Sequence, residues 1–303
     1  MGQIRVANAP VSWGAIMFTG FANDPLGYET VMNEIAETGY AGTELGDYGF
    51  YPTDPDALRE ALAKRNLALL GAYVSNRLRD PAAFEEDLQT TLTVARLLAA
   101  VDPEADRRNG PFIVIADANG TDPMRSLNAG RITPDMSLPE EEWSGYAQRA
   151  EAVARAVKDE TGLRSVFHPH SAGWVETPWE IDRLLAETNP EAMGIVFDTG
   201  HYSFGAGDNG PTVIEAMDRW ADRIWYIHFK DYSPEVGRRS RAEGWNYVQG
   251  IQEGLFSELG QGDVDFPAVL RWLEAHGYDG WIVVEQDVLP GMGTPKESAR
   301  RNR

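Results

Sequence analysis

The chain has 303 residues, 43% hydrophobic and 24% charged, with 30 glycines, 18 prolines and no cysteine. That composition supports a sizeable core and excludes a disordered chain, disulfides, thiolate metal sites, iron–sulfur clusters and cysteine nucleophiles. Twenty-seven basic residues against 47 acidic ones leave a formal net charge of −20, a field that repels phosphate backbones and anionic lipid.

The one basic cluster set against that field, Arg238, Arg239 and Arg241, is too short to make nucleic acid a partner. No stretch approaches the ~20 apolar residues of a membrane span. The start, Met1-Gly2-Gln3-Ile4-Arg5, runs into a strand-like segment rather than a secretory signal. A cytoplasmic protein with neither a nucleic-acid nor a membrane partner is expected. Whether it forms a homo-oligomer is left open; Trp220, Trp245 and Trp272 are candidates either for an interface or for the core.

In chain order, short apolar or β-branched runs at 4–8, 42–45, 67–74, 112–116, 165–168, 194–198, 224–228 and 281–285 read as strands. Helical patterns follow at 27–38, 54–65, 81–100, 139–160, 177–188, 211–220, 264–276 and 295–302. Start signals support several of them: Thr53-Asp54-Pro55, Thr177-Pro178 and Asp265-Phe266-Pro267. Eight such units in about 300 residues predict a (β/α)8 TIM barrel, one domain over 1–303. A doubly wound sheet would favour a glycine-rich turn after the first strand, and Asn8-Ala9-Pro10-Val11-Ser12-Trp13-Gly14 is not one. The longest irregular stretches, 117–138 and 231–263, both follow strand ends and belong over the active-site face.

Strand ends carry the chemistry. His168-Pro169-His170 ends the fifth, Asp198-Thr199-Gly200-His201 the sixth, His228-Phe229-Lys230-Asp231 the seventh and Glu285-Gln286-Asp287 the eighth. Four of the five histidines lie in this set. In a barrel these ends meet at one mouth. Imidazole nitrogen with carboxylate oxygen suits Mn²⁺, Co²⁺, Fe²⁺, Ni²⁺ or Zn²⁺, whereas calcium would take oxygen alone. Four successive strands with such residues point to a metal site at His168, Asp198, His228 and Glu285, with His168 the deeper of its pair and His170 a substrate contact or acid/base. Other residues have plainer alternatives. Trp13 and Tyr73 form either a wall for a sugar ring or rim packing. Lys230 polarises a ketone, binds a phosphate or pairs with Glu285 or Asp231. Asn8 and Glu44 end the first two strands, within reach of substrate hydroxyls. Arg77 and Arg79 read as solvated charges.

With these residues the chain resembles the xylose-isomerase-like TIM-barrel superfamily, and within it the inosose dehydratases of inositol catabolism. The resemblance rests on the segment from Asn8 to Gly14, Gly42-Thr43-Glu44-Leu45-Gly46, His168-Pro169-His170, Phe197-Asp198-Thr199-Gly200-His201, Ile227-His228-Phe229-Lys230-Asp231, the run from Glu258 to Asp263, and Val283-Val284-Glu285. It implies a divalent metal, usually Mn²⁺ or Co²⁺, on His168, Asp198, His228 and Glu285. It also implies a lyase that removes water from a cyclic polyol ketone such as 2-keto-myo-inositol. A base takes the proton α to the ketone, the metal stabilises the enediolate, and the β-hydroxyl leaves. Glu44, His170, His201 and Lys230 are the acid/base candidates. Sugar isomerases and epimerases of the superfamily generally have glutamate where this chain has His168, which weakens that alternative. A 3-keto-glycoside lyase would use the same α-proton chemistry on a larger substrate.

Overall fold

Strands buried on both faces need helices around them, and this chain supplies a complete ring. The computed structural model describes residues 2–15, 26–289 and 291–303. Its strands are β1 (Ile4–Asn8), β2 (Gly42–Thr43), β3 (Ala68–Leu69), β4 (Gly71–Asn76), β5 (Phe112–Asp117), β6 (Arg164–Phe167), β7 (Met193–Asp198), β8 (Ile224–Phe229) and β9 (Gly280–Val284). All paired neighbours are parallel, in the order β3-β2-β1-β9-β8-β7-β6-β5-β4.

The two ends of that order are halves of one stretch. β3 pairs with β2, β4 pairs with β5, and only Leu70 separates them. The Leu70 amide donates to the Thr43 carbonyl at 3.0 Å, and the Leu70 carbonyl accepts from the Phe112 amide at 2.8 Å. The expected strand at 67–74 is therefore split, and the sheet closes as eight staves, a TIM barrel. Helices Tyr28–Glu37, Pro55–Ala63, Phe84–Val101, Glu140–Thr161, Pro178–Glu187, Val213–Arg219, Phe266–Ala275 and Pro295–Asn302 lie where the pattern predicted them. Capping explains several starts. Asp54 and Asp265 accept from the amides of Ala57 and Ala268, and Thr177 forms a capping box with Glu180.

Side chains alternate between the two faces of each strand. Ala7, Phe112, Val114, Val166, Val196, Tyr226, Trp281 and Val283 fill the barrel interior. Their neighbours Ile113, Ile115, Phe167, Phe197, Ile227, Ile282 and Val284 face outward and pack with the helices. Two residues on from Val166, Val196, Tyr226 and Val283 stand His168, Asp198, His228 and Glu285. The polar floor of the mouth is thus the next layer of the same inward face.

One expectation is corrected here, and one alternative left open is decided. The stretches 117–138 and 231–263 are not irregular throughout: they contain helices Pro123–Leu127, Pro234–Glu243 and Tyr247–Gln252, and Thr199–Ala206 opens directly after β7. Phe204, Tyr232, Tyr247, Ile251, Leu255 and Phe256 join in a second apolar cluster among these segments, so the loops have a core of their own. Trp220, Trp245 and Trp272 are buried, and their indole N–H groups donate to Asp182, Glu243 and Asp218. They are core residues of this chain, not a surface patch. No described helix is long and apolar enough to cross a membrane.

One buried ion pair fastens two of the loops. Arg125 and Glu180 are both fully inaccessible, joined by Nη1–Oε1 and Nη2–Oε2 contacts of 2.8 and 3.0 Å. Arg125 Nε also donates to the Gly173 carbonyl at 2.7 Å, tying the loop after β5 to the loop that carries His170. Arg125→Met should leave the Glu180 carboxylate buried without its cation, at a cost of ~3–5 kcal/mol. Urea unfolding measures it, and a loss below about 1 kcal/mol would show that the pair is replaceable.

Candidate active site

The four predicted metal-facing residues converge. Asp198 ends β7 and pairs in register with His228 of β8. His168 and Glu285 each follow their strand by one residue, their amides donating to Ile115 and Phe229 carbonyls at 2.8 and 2.9 Å. All four side chains are buried, and each offers one ligand-type atom within 4.8 Å of the other three. His168 Nε2 and His228 Nδ1 both stand 3.9 Å from Asp198 Oδ2, and His228 Nδ1 is 3.3 Å from Glu285 Oε2.

Hydrogen bonds on the far side of Asp198, His168 and His228 aim them inward. Asp198 Oδ1 accepts from the Gly200 and His201 amides, both at 2.9 Å, capping the helix Thr199–Ala206 and leaving Oδ2 to the centre. His168 Nδ1 is 2.7 Å from the Pro169 carbonyl, which can only accept, so Nδ1 carries the proton and Nε2 is bare. His228 Nε2 is 3.1 Å from Glu44 Oε1, so Nε2 points its proton at that carboxylate and Nδ1 is the nitrogen turned to the centre. Asp198 Oδ2 and His228 Nδ1 are buried without a well-formed hydrogen bond, their nearest charged neighbours being Lys230 Nζ at 3.4 Å and Glu285 Oε2 at 3.3 Å. Once His228 gives up its Nδ1 proton, these two atoms, His168 Nε2 and the Glu285 carboxylate face one centre, and that N,N,O,O set fits a first-row divalent ion.

Charge follows the same geometry. Burial lowers the His168 imidazole to about 4 and keeps it neutral. Burial also acts to lower His228, but the Glu285 and Glu44 carboxylates beside it outweigh this and hold it at about 10. A proton and a cation therefore compete for that ring. Burial raises Glu285, yet His228 and Lys230 together hold it well below the carboxylate range.

Above this floor lies a second group of polar side chains. Lys230 Nζ donates to Asp287 Oδ1 at 2.8 Å and sits 3.0 Å from His201 Nε2. It also reaches Glu285 Oε2 at 3.2 Å and Asp198 Oδ2 at 3.4 Å. Its stem passes over Gly200, where a Cβ would lie 2.7 Å from Lys230 Cγ, so the helix can open there only with glycine. Tyr247 donates its hydroxyl to Asp287 Oδ2 at 2.9 Å. His170 Nδ1 bonds the Ser171 carbonyl at 2.7 Å, which leaves Nε2 as its bare nitrogen, and burial keeps the ring neutral. Its ring lies 3.8 Å from that of His201.

The cavity over these groups measures about 270 Å³. Glu44, Tyr73, His168, His170, His228, Lys230, Glu285 and Asp287 line it, with Pro10, Val11, Gly46, Asp47, Ser75, Asn119 and Thr121. Tyr73 stands at the wall, its hydroxyl accepting from Asn119 Nδ2 at 2.8 Å. Asn8 and Trp13 do not line it. Asn8 is flanked by the inward Ala7 and Ala9, so it points outward, its Oδ1 accepting from the Ala9 amide. Trp13 packs in the outer core and donates its indole N–H to Glu34 at 2.7 Å. Asp231 is not a ligand either: its carboxylate accepts from the amides of Tyr232, Gly260, Gly262 and Val264 and shapes the 258–263 turn. The side chains the sequence reading passed over are Asp287, Asn119 and Tyr247. Asp287 had a readable signal, since it repeats the two-residue offset of His168/His170 and His228/Lys230.

Glu44 has a place of its own. It receives the Tyr226 hydroxyl at 2.8 Å and His228 Nε2 at 3.1 Å on the same oxygen. Carboxylates behind ligating histidines fix tautomer and ring orientation. Glu44→Gln should weaken Mn²⁺ binding about 10–100-fold, read by calorimetric titration of the metal-free protein.

A family model described as the xylose isomerase-like TIM barrel matches residues 32–302. An inosose dehydratase of Geobacillus kaustophilus (strain HTA426) is 29% identical over 303 residues, covering 99% of this chain and 92% of that protein. The rhizopine catabolism protein MocC of Rhizobium meliloti is 33% identical over 98% of this chain and 86% of its own length. Among solved structures, the probable 3-DHS dehydratase AsbF from Bacillus anthracis superposes with a TM-score of 0.67 at 14% identity, covering 100% of this chain and 97% of that one. At that identity the last likeness concerns the fold alone.

Proposed function

The chain belongs to the xylose isomerase-like TIM barrel family, and from that premise we propose that it is a divalent-metal-dependent dehydratase, a carbon–oxygen lyase acting on a cyclic polyol ketone such as 2-keto-myo-inositol. The observation that carries the reading is the two-layered mouth: four converging ligand atoms below, and a neutral imidazole beside a buried ammonium above. Full-length relatives named as inosose dehydratases support it. The whole chain, 1–303, acts as one catalytic domain in the cytoplasm, on a small polyol or sugar.

In this reading His168, Asp198, His228 and Glu285 hold the metal, Mn²⁺ or Co²⁺. When bound, the ion supplies Lewis-acid stabilisation for negative charge growing on the ketone oxygen. The chain's own groups move the protons. His170, held by its Nδ1–H bond to Ser171 and lining the cavity, takes the proton α to the ketone on its bare Nε2. Lys230 gives a proton to the departing β-hydroxyl, so that the C–H electron pair forms the new double bond and the C–O bond breaks as water forms. His201 and Asp287 hold the ammonium in place. Tyr73 offers an aromatic edge and Glu44 a carboxylate to the ring and its hydroxyls. A cavity of about 270 Å³ is at the small end for ligand sites and matches one six-membered ring better than a glycoside.

The test is a chelated protein given back Mn²⁺ or Co²⁺ and assayed for conversion of 2-keto-myo-inositol to the dehydrated diketone. Turnover that needs the metal is the expected result. Interconversion of ketohexoses without loss of water would move the reading to an isomerase or epimerase, and elimination from 3-keto-glycosides alone would move it to the glycoside lyase.

A further inference from the structure

Three of the strands that end in the metal-facing floor carry a second polar residue two positions on: His170 after His168, Lys230 after His228 and Asp287 after Glu285. These residues lie just past the ends of β6, β8 and β9, and their side chains meet over the floor. Three residues after Asp198, the capped helix adds His201 to the same layer. His170, His201 and Asp287 offer ligand-type atoms that all lie within 4.8 Å of one another, a second constellation of two imidazoles and a carboxylate.

This constellation has an occupant. Lys230 is buried, and its Nζ lies 2.8 Å from Asp287 Oδ1 and 3.0 Å from His201 Nε2. An ammonium only donates, so His201 Nε2 accepts from it, while His201 Nδ1 lies 2.9 Å from Ser171 Oγ and 3.4 Å from the Ser171 amide nitrogen. The same ammonium stands 3.2 and 3.4 Å from Glu285 and Asp198 of the floor. It thus adds positive charge between three carboxylates, at a separation where like charges in a buried site repel strongly.

We propose that the upper constellation is a second cation site filled from within by the Lys230 ammonium, which holds the protein to one divalent ion per chain. The inference rests on the reading that the floor quartet binds a metal. Removing the amine leaves Asp198, Glu285 and Asp287 uncompensated beside two imidazoles, a set that matches a second first-row ion.

Metal stoichiometry after Mn²⁺ loading and desalting, with the electron paramagnetic resonance spectrum of the bound Mn²⁺, tests this without any assay of turnover. The wild-type protein should hold one ion with an isolated-Mn²⁺ spectrum. Lys230→Ala should hold two with the broadened spectrum of a coupled pair, and adding Asp287→Asn should return the count to one. One ion in a folded Lys230→Ala overturns the proposal and leaves the floor quartet as a metal site; no ion in any of these proteins overturns both. If Lys230→Ala does not fold, Mn²⁺ titration of the wild type decides: two sites of comparable affinity overturn the proposal, and a single site supports it.

Discussion

Asp198→Asn should yield a folded protein that neither holds Mn²⁺ nor turns over substrate. The Gly200 and His201 amides need an acceptor, now Asp198 Oδ1 at 2.9 Å from both. The asparagine amide oxygen meets that need and keeps the helix Thr199–Ala206 capped. Its NH2 group is then turned toward His168 Nε2, His228 Nδ1 and the Lys230 ammonium, where the aspartate presented a charged oxygen. A donor replaces a ligand at nearly unchanged shape. Lewis-acid assistance is worth several kcal/mol of barrier, so kcat should fall about 10³-fold or more. Metal content should drop to a trace, and the unfolding temperature should match that of the metal-free wild type. Retained Mn²⁺ with turnover within tenfold of wild type would remove Asp198 from the site.

His170→Gln should lower kcat about 10²–10⁴-fold while leaving the metal content at the wild-type level. His170 lines the cavity but belongs to the upper layer, so its loss touches proton transfer and not the floor quartet. The distinguishing readout is exchange of the substrate's α-proton with deuterium oxide. A base variant loses exchange and elimination together. Exchange at the normal rate with elimination lost would assign His170 as the acid and pass the base role to Glu44.

Most of the barrel was legible because its elements are bounded by local signals. Eight apolar runs, with proline and Asp or Thr caps at the helix starts, locate the staves to within a few residues. Helix Thr199–Ala206 was not legible, since Gly200, Ser203 and Gly205 are poor helix formers. It forms because Asp198 caps it and because the Lys230 stem leaves room for nothing larger than Gly200. Helices Pro234–Glu243 and Tyr247–Gln252 were also passed over, and their burial against Phe204, Phe256 and Leu255 stabilises them more than their own sequence does. The split third strand escaped notice for a similar reason: the demands of two different neighbours, β2 and β5, divide a run that is continuous in apolar character.

By itself the sequence determined the barrel and picked out four residues, His168, Asp198, His228 and Glu285, that the fold brings together, because strand ends of a closed parallel sheet share one mouth. Tertiary structure decided direction and pairing. Asn8 and Trp13 sit beside the right strand end yet face away, since one residue's shift along a strand reverses the face. Glu44 meets His228, 184 positions away, and Lys230 meets Asp287 because β8 and β9 are neighbours in the ring. Which nitrogen of each imidazole is engaged depends on the acceptor behind it, a partner brought there by the fold and invisible in the order of residues.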